Sequence, residues 1–282
     1  MIQTVFVAGA GTMGLDIAQV FARCGREVWV RDINNQIIET ARIRLKTNYA
    51  RLVSKGKLTA AEAEAQQGRV HFTVDMQPAA EADLVVEAIV ERMDLKKNVF
   101  KELDGLCKPA CIFASNTSSV SITEMAIASG RPDRFLGMHF FNPATVMKLV
   151  ELIRALTTSE EAYLAVRGLC EELEKDPVEV QDSPGFVVNR ILAPMMNEAA
   201  FLLEEHVASV EDIDKAMRLG ANHPMGPLQL ADLVGIDVLV AIMDVLYNET
   251  HDPKFRACFL LRKMVRAGKL GRKTGQGFYS YS

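Results

Sequence analysis

Residues 3–14 read QTVFVAGAGTMG, an apolar run followed by glycines at the spacing GxGxxG. The apolar run is typical of a buried strand, and Gly9, Gly11 and Gly14 form the turn that follows it. Apolar residues then recur at helical spacing, and the run EVWVR at residues 27–31 has the composition of a second strand. A strand, a glycine-rich turn, a helix and another strand in this order predict a βαβ unit that binds a dinucleotide.

The residues around this turn predict how the dinucleotide is held. Gly9 permits the tight turn, Gly11 lets the backbone approach the pyrophosphate, and Gly14 allows the helix to pack closely on the strand. Asp32 directly follows the second strand, where its carboxylate can accept hydrogen bonds from the ribose hydroxyls and repel a 2′-phosphate. NAD is therefore favoured over NADP, although the neighbouring Arg31 keeps NADP open. The motif supplies five candidate contacts to the cofactor: Gly9, Gly11, Thr12, Met13 and Gly14.

Four more strand-like runs alternate with helical patterns in the first part of the chain. They lie at residues 70–73, 83–91, 111–115 and 135–140. Alternating strands and helices predict an α/β domain with a parallel, doubly wound sheet, in which ligands bind outside the carboxyl ends of the strands. This rule places four polar residues near the cofactor: Glu91, Asn116, Ser118 and His139.

Several candidate residues also have a simpler explanation. His139 lies within the apolar run FLGMHF, where a histidine is more often a hydrogen-bonded core residue than a catalyst. Ser118 has the position of a cap or turn residue before the helix that starts near residue 121. Glu151 lies in the mostly apolar run 146–153, either as a surface or edge-strand charge or as an acid with a buried partner.

A segment without acidic residues extends from residue 40 to residue 61. Its basic residues are Arg42, Arg44, Lys46, Arg51, Lys55 and Lys57. Its apolar residues recur at helical spacing, with Asn34 or Asn35 as the candidate cap. A cluster of one sign in a chain of formal charge −4 suits a substrate that carries several phosphates. An ordinary solvated helix face explains the cluster equally well.

The pattern changes after the breaker cluster DSPG at residues 182–185. From there on, helical patterns follow one another without a convincing strand, at residues 186–205, 210–219, 227–233, 236–247 and 255–267. We therefore predict a Rossmann-like NAD-binding domain over residues 1–184, with a helical hairpin inserted near residues 35–65. We expect an all-helical domain over residues 185–282 for substrate binding and dimerisation. Asn189 lies near the junction, where ligands commonly bind, although it can equally cap a helix or face solvent.

Composition and charge exclude several other classes of protein. The formal charge of −4 argues against a nucleic-acid partner, since such proteins are usually basic. No apolar run approaches the ~20 residues that span a bilayer, so no membrane association is expected. The start of the chain resembles a first strand rather than a targeting segment. The five cysteines are odd in number and scattered, which argues against a disulfide framework or a zinc site and favours the reducing cytoplasm.

Several motifs occur in an order that is similar to a known family. GAGTMG, SNTSS, HFFNP, MKLVEL, DSPGFVVNR and GRKTGQGFY together resemble the L-3-hydroxyacyl-CoA dehydrogenases over essentially the whole chain. The resemblance is strongest to the short bacterial members that act on 3-hydroxybutyryl-CoA. It implies hydride transfer between NAD(H) and a short-chain 3-hydroxyacyl-CoA/3-ketoacyl-CoA pair (3-hydroxybutyryl-CoA and acetoacetyl-CoA), in butyrate-type or fatty acid metabolism. It also implies a homodimer formed through the helical domain.

The resemblance further implies roles for individual residues. His139 matches the catalytic histidine and Glu151 its paired glutamate, whereas Ser118 and Asn189 match polar residues that contact the reacting oxygen or the thioester region. The predicted NAD contacts outside the glycine motif are Asp32, Glu91, Lys96, Asn116, Ser118, Asn142 and Lys273. The predicted coenzyme A contacts are Asn48, Lys55, Lys57 and Ser118. The chain departs from the family where Asn142-Pro143 is followed by Ala-Thr-Val instead of the frequent Val-Pro-Val, in a loop expected beside the nicotinamide.

Two other functions remain open from the sequence. One is a 3-hydroxyacid or sugar-acid dehydrogenase on the same two-domain plan, because such folds change substrate through their loops. The other is a non-catalytic NAD-binding protein, which is expected to have lost a reacting group. His139, Glu151, Ser118 and Asn189 are all present, which favours an enzyme.

Overall fold

The structure, a computed structural model, describes residues 2–281. The chain forms two compact units, one that ends at Asp182 and one that starts at Ser183. The predicted domain boundary, between residues 184 and 185, lies two residues further along the chain.

The first unit alternates strands and helices. Its strands are β1 (Thr4–Ala8), β2 (Glu27–Arg31), β3 (Val70–Thr73), β4 (Leu84–Glu87), β5 (Ile112–Ser115), β6 (Phe135–Phe140), β7 (Leu149–Arg154) and β8 (Asp176–Gln181). Its helices are α1 (Thr12–Arg23), α2 (Asn35–Ser54), α3 (Ala60–Gly68), α4 (Met93–Asp104), α5 (Ile122–Ala128) and α6 (Glu160–Glu172).

The strands form one sheet in the order β3-β2-β1-β4-β5-β6-β7-β8. The chain moves from β1 through β2 to β3 on one side, then crosses to β4 on the other side of β1, so the sheet is doubly wound. Neighbouring strands are parallel except for β6 and β7. A parallel connection needs a crossover of about a dozen residues or more, whereas only residues 141–148 join β6 to β7. The predicted doubly wound sheet is confirmed, with one antiparallel pair that the sequence did not predict.

The central strands are apolar along nearly their whole length because both faces of the sheet are covered. Every residue of β4 (LVVE), β5 (IFAS) and β6 (FLGMHF) is buried. The exceptions to the apolar pattern lie at or near the carboxyl ends of these strands, namely Glu87, Ser115 and His139. The polar side chains of these central strands are therefore concentrated at the carboxyl ends of the strands.

Residues 40–54 of the basic segment lie in α2, and α3 follows as the second helix of the predicted hairpin. The side chain of Asn34 accepts a hydrogen bond from Ile37 N at 3.0 Å, so Asn34 and not Asn35 is the N-cap. Thr59 and Glu62 form a capping box at the start of α3. The buried face of α2 consists of Ile38, Ala41, Leu45 and Tyr49.

The second unit is helical, as predicted. Its helices are α7 (Val188–Glu204), α8 (Val210–Gly220), α9 (Pro227–Val234), α10 (Ile236–Thr250) and α11 (Phe259–Arg266). Between residues 183 and 281 the structure has two isolated β-bridges but no strand. None of the helices that residues 2–281 form is both long enough and apolar enough to cross a bilayer.

Two predicted elements end or begin at other residues than expected. The strand predicted to reach Glu91 ends at Glu87, whose carboxylate accepts a hydrogen bond from Ile89 N at 2.7 Å and so holds the chain in a turn. The helix predicted from residue 255 begins at Phe259. Asn197 in α7 accepts from Cys258 N at 2.7 Å and donates to Arg256 O at 3.1 Å, which keeps this segment out of the helix.

Candidate active site

The carboxyl ends of four neighbouring parallel strands meet at one edge of the sheet. These strands are β1, β4, β5 and β6. The glycine turn follows β1, Asn116 follows β5, and His139 lies at the end of β6. The Asn116 side chain accepts a hydrogen bond from Phe140 N at 2.8 Å, which joins two of the strand ends directly. The tertiary structure thus brings these predicted residues of the first unit together.

The turn after β1 requires glycine at two positions. Gly9 has φ +115°, and a Cβ atom there would lie 2.5 Å from Ala88 O. A Cβ atom at Gly14 would lie 1.9 Å from Gly9 O, so only glycine allows α1 to start so close to β1. At Gly11 an added Cβ meets no atom within 4 Å. The backbone at Gly11 therefore faces open space, in which a pyrophosphate can approach the N-terminus of α1.

Asp32 lies at the end of β2 beside the same turn. One carboxylate oxygen accepts a hydrogen bond from Ala10 N at 2.7 Å, and the other accepts from Ile33 N at 2.7 Å. These bonds hold the carboxylate against the turn while the residue stays half-exposed. A fixed acceptor next to a glycine turn fits the adenosine ribose of a dinucleotide. The residues present therefore suit NAD.

Glu91 is the centre of a hydrogen-bond network that includes Ser118. Its Oε1 atom accepts from Thr117 Oγ1 at 2.5 Å, from Ser118 N at 2.9 Å and from Ser119 Oγ at 3.0 Å. Its Oε2 atom lies 3.0 Å from Lys96 Nζ. Burial opposes ionisation, but the charge of Lys96 and these hydrogen bonds hold the pKa of Glu91 below its usual range. A charged Glu91 thus fixes the loop that carries Ser118.

Glu87 belongs to this network and was missed by the sequence analysis. It is fully buried and accepts hydrogen bonds from Lys96 Nζ at 2.7 Å and Ser115 Oγ at 2.6 Å. Lys96, which is 1% exposed, therefore bridges Glu87 and Glu91. Glu87 is the one acid in the apolar strand LVVE and lies at its carboxyl end, and this position was the signal that could have identified it.

His139 and Glu151 face each other across the antiparallel pair of β6 and β7. They are direct partners in the register, and Nδ1 of the ring lies 2.8 Å from Oε2 of the carboxylate. Glu151 is 1% exposed on a strand between β6 and β8, so the surface or edge-strand explanation was wrong. A buried carboxylate at Nδ1 orients an imidazole and stabilises its protonated form. The expected contact is present, and the catalytic role of the pair stays a prediction.

Three predicted site residues lie outside the buried strand ends, one in an exposed loop of the first unit and two in the second unit. Asn142 is exposed in the loop after β6, and its peptide bond to Pro143 is cis. Asn189 lies in the first turn of α7 in the second unit and is half-buried. Lys273, also in the second unit, has its ammonium 2.6 and 2.7 Å from the two carboxylate oxygens of Asp237. The predicted roles of these three residues stay predictions.

The predicted coenzyme A contacts lie along and just after α2. Asn48 is half-buried within the helix, whereas Lys55 and Lys57 are exposed at its C-terminal end. Two basic residues of α2 have acidic partners: Arg42 pairs with Glu39 at 3.3 Å, and Arg44 lies 3.8 Å from Asp16. The C-terminal end of α2 thus presents positive charge to solvent.

Two family models match the chain in succession. The model described as 3-hydroxyacyl-CoA dehydrogenase, NAD binding domain, matches residues 4–183, and the model of the C-terminal domain of the same enzyme matches residues 185–281. The chain belongs to the 3-hydroxyacyl-CoA dehydrogenase family. Its first unit is the family's NAD-binding domain, which confirms the predicted family, enzyme class and cofactor.

Individual relatives of this 3-hydroxyacyl-CoA dehydrogenase are similar over their whole length. A probable 3-hydroxybutyryl-CoA dehydrogenase from Bacillus subtilis is 51% identical over 280 residues, which cover 99% of this chain and 98% of the relative. The 3-hydroxybutyryl-CoA dehydrogenase from Clostridioides difficile is 51% identical over 276 residues, 98% of each chain. The crystal structure of (S)-3-hydroxybutyryl-CoA dehydrogenase from Ralstonia eutropha matches with a TM-score of 0.97, 49% identity and complete coverage of both chains.

Two glycines of the turn, Gly11 and Gly14, should respond differently when each is changed to alanine. Gly14→Ala should lower the melting temperature, because its Cβ meets the Gly9 carbonyl at 1.9 Å. Gly11→Ala should leave the melting temperature nearly unchanged but weaken NADH binding, because its Cβ enters only the space expected for the pyrophosphate. Thermal unfolding and NADH fluorescence titration measure the two effects. A Gly11→Ala variant that binds NADH as the wild type does would contradict this placement of the cofactor.

Proposed function

We propose that this dehydrogenase interconverts 3-hydroxybutyryl-CoA and acetoacetyl-CoA as its preferred pair, with His139 as the acid–base catalyst. The observation that carries the proposal is the buried contact between His139 and Glu151, 2.8 Å apart, at the sheet edge that also holds the glycine turn. The four-carbon acyl group is inferred from the names of relatives about 50% identical over nearly the whole chain.

The reaction needs a proton acceptor next to the alcohol carbon. Bound NAD supplies the hydride acceptor. His139 takes the proton of the C3 hydroxyl as the C3–H hydride leaves, so that the alcohol becomes a ketone. Glu151 holds the ring through Nδ1 and stabilises the imidazolium that forms. In the reverse direction His139 returns the proton to the new alkoxide oxygen.

Other residues hold the reactants in place. Ser118 contacts the reacting oxygen or the thioester region and is itself held by the Glu91 carboxylate, to which its N–H donates at 2.9 Å. Asn189 contributes the second polar contact to the substrate. Asp32 and Asn142 contact NAD. Fixed polar groups around the reacting carbon raise the rate of the reaction because they orient the substrate and the cofactor.

The nucleotide part of coenzyme A binds along α2. In this proposal Lys55 and Lys57 contact its phosphates and Asn48 contributes a hydrogen bond, so the basic segment binds phosphate and is more than an ordinary solvated face. The exposure of both lysines supports this assignment, since their charges can reach a polyanionic ligand from solvent.

The protein acts as a homodimer in the cytoplasm. Large apolar side chains of the helical unit support the dimer, because Ile191 is 64% and Phe259 54% exposed. All five cysteines are free thiols, which supports a reducing compartment.

The proposed substrate is tested by following NADH absorbance with acetoacetyl-CoA and, in parallel, with free acetoacetate. We expect rapid NADH oxidation with the thioester and a far lower kcat/KM with the free acid, because the free acid lacks every coenzyme A contact. Equal kcat/KM values for the two would indicate a 3-hydroxyacid dehydrogenase instead. Absence of turnover with intact NADH binding would indicate a non-catalytic NAD-binding protein.

His139→Gln should reduce kcat with acetoacetyl-CoA by about 10²–10⁴-fold, the usual contribution of a general acid–base group. NADH affinity should stay close to that of the wild type. His71→Gln is the matched control, because His71 also faces a glutamate, Glu27, at 2.9 Å but lies 38% exposed on the outer strand β3. The assignment fails if His139→Gln and His71→Gln have the same kcat.

Lys55→Ala and Lys57→Ala should each raise the KM for acetoacetyl-CoA by about two- to fivefold at low ionic strength, as expected for an exposed charge pair. The effect should shrink with added salt. Lys101→Ala, at an exposed lysine of α4, is the control and should leave the KM unchanged. If either variant raises the KM equally for an acetoacetyl thioester without the nucleotide, the lysines do not contact phosphate.

A further inference from the structure

Lys175 is a buried lysine that the reaction described above does not use. It lies between α6 and β8 and is 5% exposed. Its Nζ donates hydrogen bonds to two backbone carbonyls, those of Ala144 at 2.6 Å and Met147 at 2.8 Å, rather than to a carboxylate. Burial lowers the pKa of Lys175, and the nearby charge of Arg23 lowers it further. Burying an ammonium group among neutral acceptors costs folding free energy. A buried lysine at this position therefore calls for an explanation other than side-chain packing.

Both carbonyls belong to the loop that connects the strand of His139 to the strand of Glu151. Residues 141–148 join β6, which carries His139, to β7, which carries Glu151. Within the loop, Pro143 O accepts hydrogen bonds from the backbone N–H groups of residues 146 and 147, each at 3.0 Å. This turn brings the carbonyls of Ala144 and Met147 to the same ammonium. The proposed cofactor contact, Asn142, lies in the same loop.

A second ionisable group interacts with Ala144. The backbone N–H of Ala144 favours the carboxylate form of Asp16, a residue of α1 that is 5% exposed. Burial raises the pKa of Asp16, although the charge of Arg44 and the Ala144 N–H oppose that rise. Arg44 also donates to Thr12 Oγ1 at 3.0 Å, at the start of α1. The carbonyl oxygen of the fully buried Ala144 thus accepts a hydrogen bond from Lys175, and the N–H of the same residue influences the ionisation of Asp16 on α1.

We propose that Lys175 is a positioning residue for the dehydrogenase reaction. It fixes the loop 141–148 so that His139, Glu151 and Asn142 keep the geometry that hydride and proton transfer require. The inference rests on the proposed function, since it presumes that His139 is the acid–base group. Lys175 contacts backbone carbonyls of the loop and acts only through them.

The first test is Lys175→Met, which keeps most of the side-chain volume and removes the donors. A displacement of about 1 Å at a reacting group can cost 10²-fold in rate, so we expect kcat with acetoacetyl-CoA to fall by about 10- to 100-fold. The Kd for NADH should change by less than about threefold, because the glycine turn and Asp32 lie outside the loop and Asn142 is the one proposed NAD contact within it. Lys148→Met, at an exposed lysine of the same loop, is the control and should keep the wild-type kcat. A Lys175→Met enzyme with wild-type kcat would overturn the proposal.

A double-mutant cycle separates positioning from general damage to the fold. If Lys175 acts through the placement of His139, Lys175→Met should reduce kcat much less in the His139→Gln background than in the wild type. The same fold-loss in both backgrounds would overturn the proposal. A small effect of His139→Gln alone would instead reject the proposed function, so the two failures are distinguishable.

Lys175→Gln provides a second variant if the methionine variant does not fold. Its amide retains a donor for one carbonyl without the charge. We expect kcat between the values of the wild type and His139→Gln, with a Kd for NADH within about threefold of the wild-type value. A folded Lys175→Gln enzyme with wild-type kcat, or one that loses NADH affinity and kcat in parallel, would reject positioning of the loop as the role of Lys175.

Discussion

The hydrogen bond between His139 and Glu151 depends on a single feature of the sheet, the antiparallel register of β6 and β7. In this register the two residues are directly opposite and their side chains lie on the same face. A slip of one residue would turn the carboxylate to the other face and leave both groups buried without each other. The short connection between the strands enforces the reversal of direction, since residues 141–148 cannot form a crossover. The chemistry of the proposed site is therefore set by a backbone constraint.

Buried charged side chains in the first unit hold loops in place at the carboxyl ends of the strands. Lys96 bridges Glu87 and Glu91, and Glu91 in turn accepts hydrogen bonds from the loop that carries Ser118. Lys175 binds two carbonyls of the loop after β6. Such groups are expensive to bury, and each of them contacts a residue or loop next to a proposed site residue. Loops that lack a regular hydrogen-bond pattern need side chains of this kind to adopt one conformation.

The glycine turn uses the opposite device, the absence of a side chain. Gly14 lets α1 start where any Cβ would meet a carbonyl, and Gly11 leaves the backbone open. Asp32 then adds one charged acceptor, which two backbone N–H groups hold in place. A bare backbone suits a pyrophosphate, whereas charged side chains suit the groups that move protons or orient a substrate.

The class of fold, the glycine turn, the helical second unit and the family can all be predicted from the sequence. These features depend on local patterns: glycine spacing, the period of apolar residues, and motifs of a few adjacent residues. The sequence also indicated His139 and Glu151, but left an ordinary core histidine and an edge-strand acid as alternatives. The folded structure is needed to see that they touch, that β7 is an inner antiparallel strand, and that Glu87 and Lys175 hold neighbouring loops. Such contacts join residues far apart in the chain, and a pattern along the chain carries no information about which distant side chain shares a buried space.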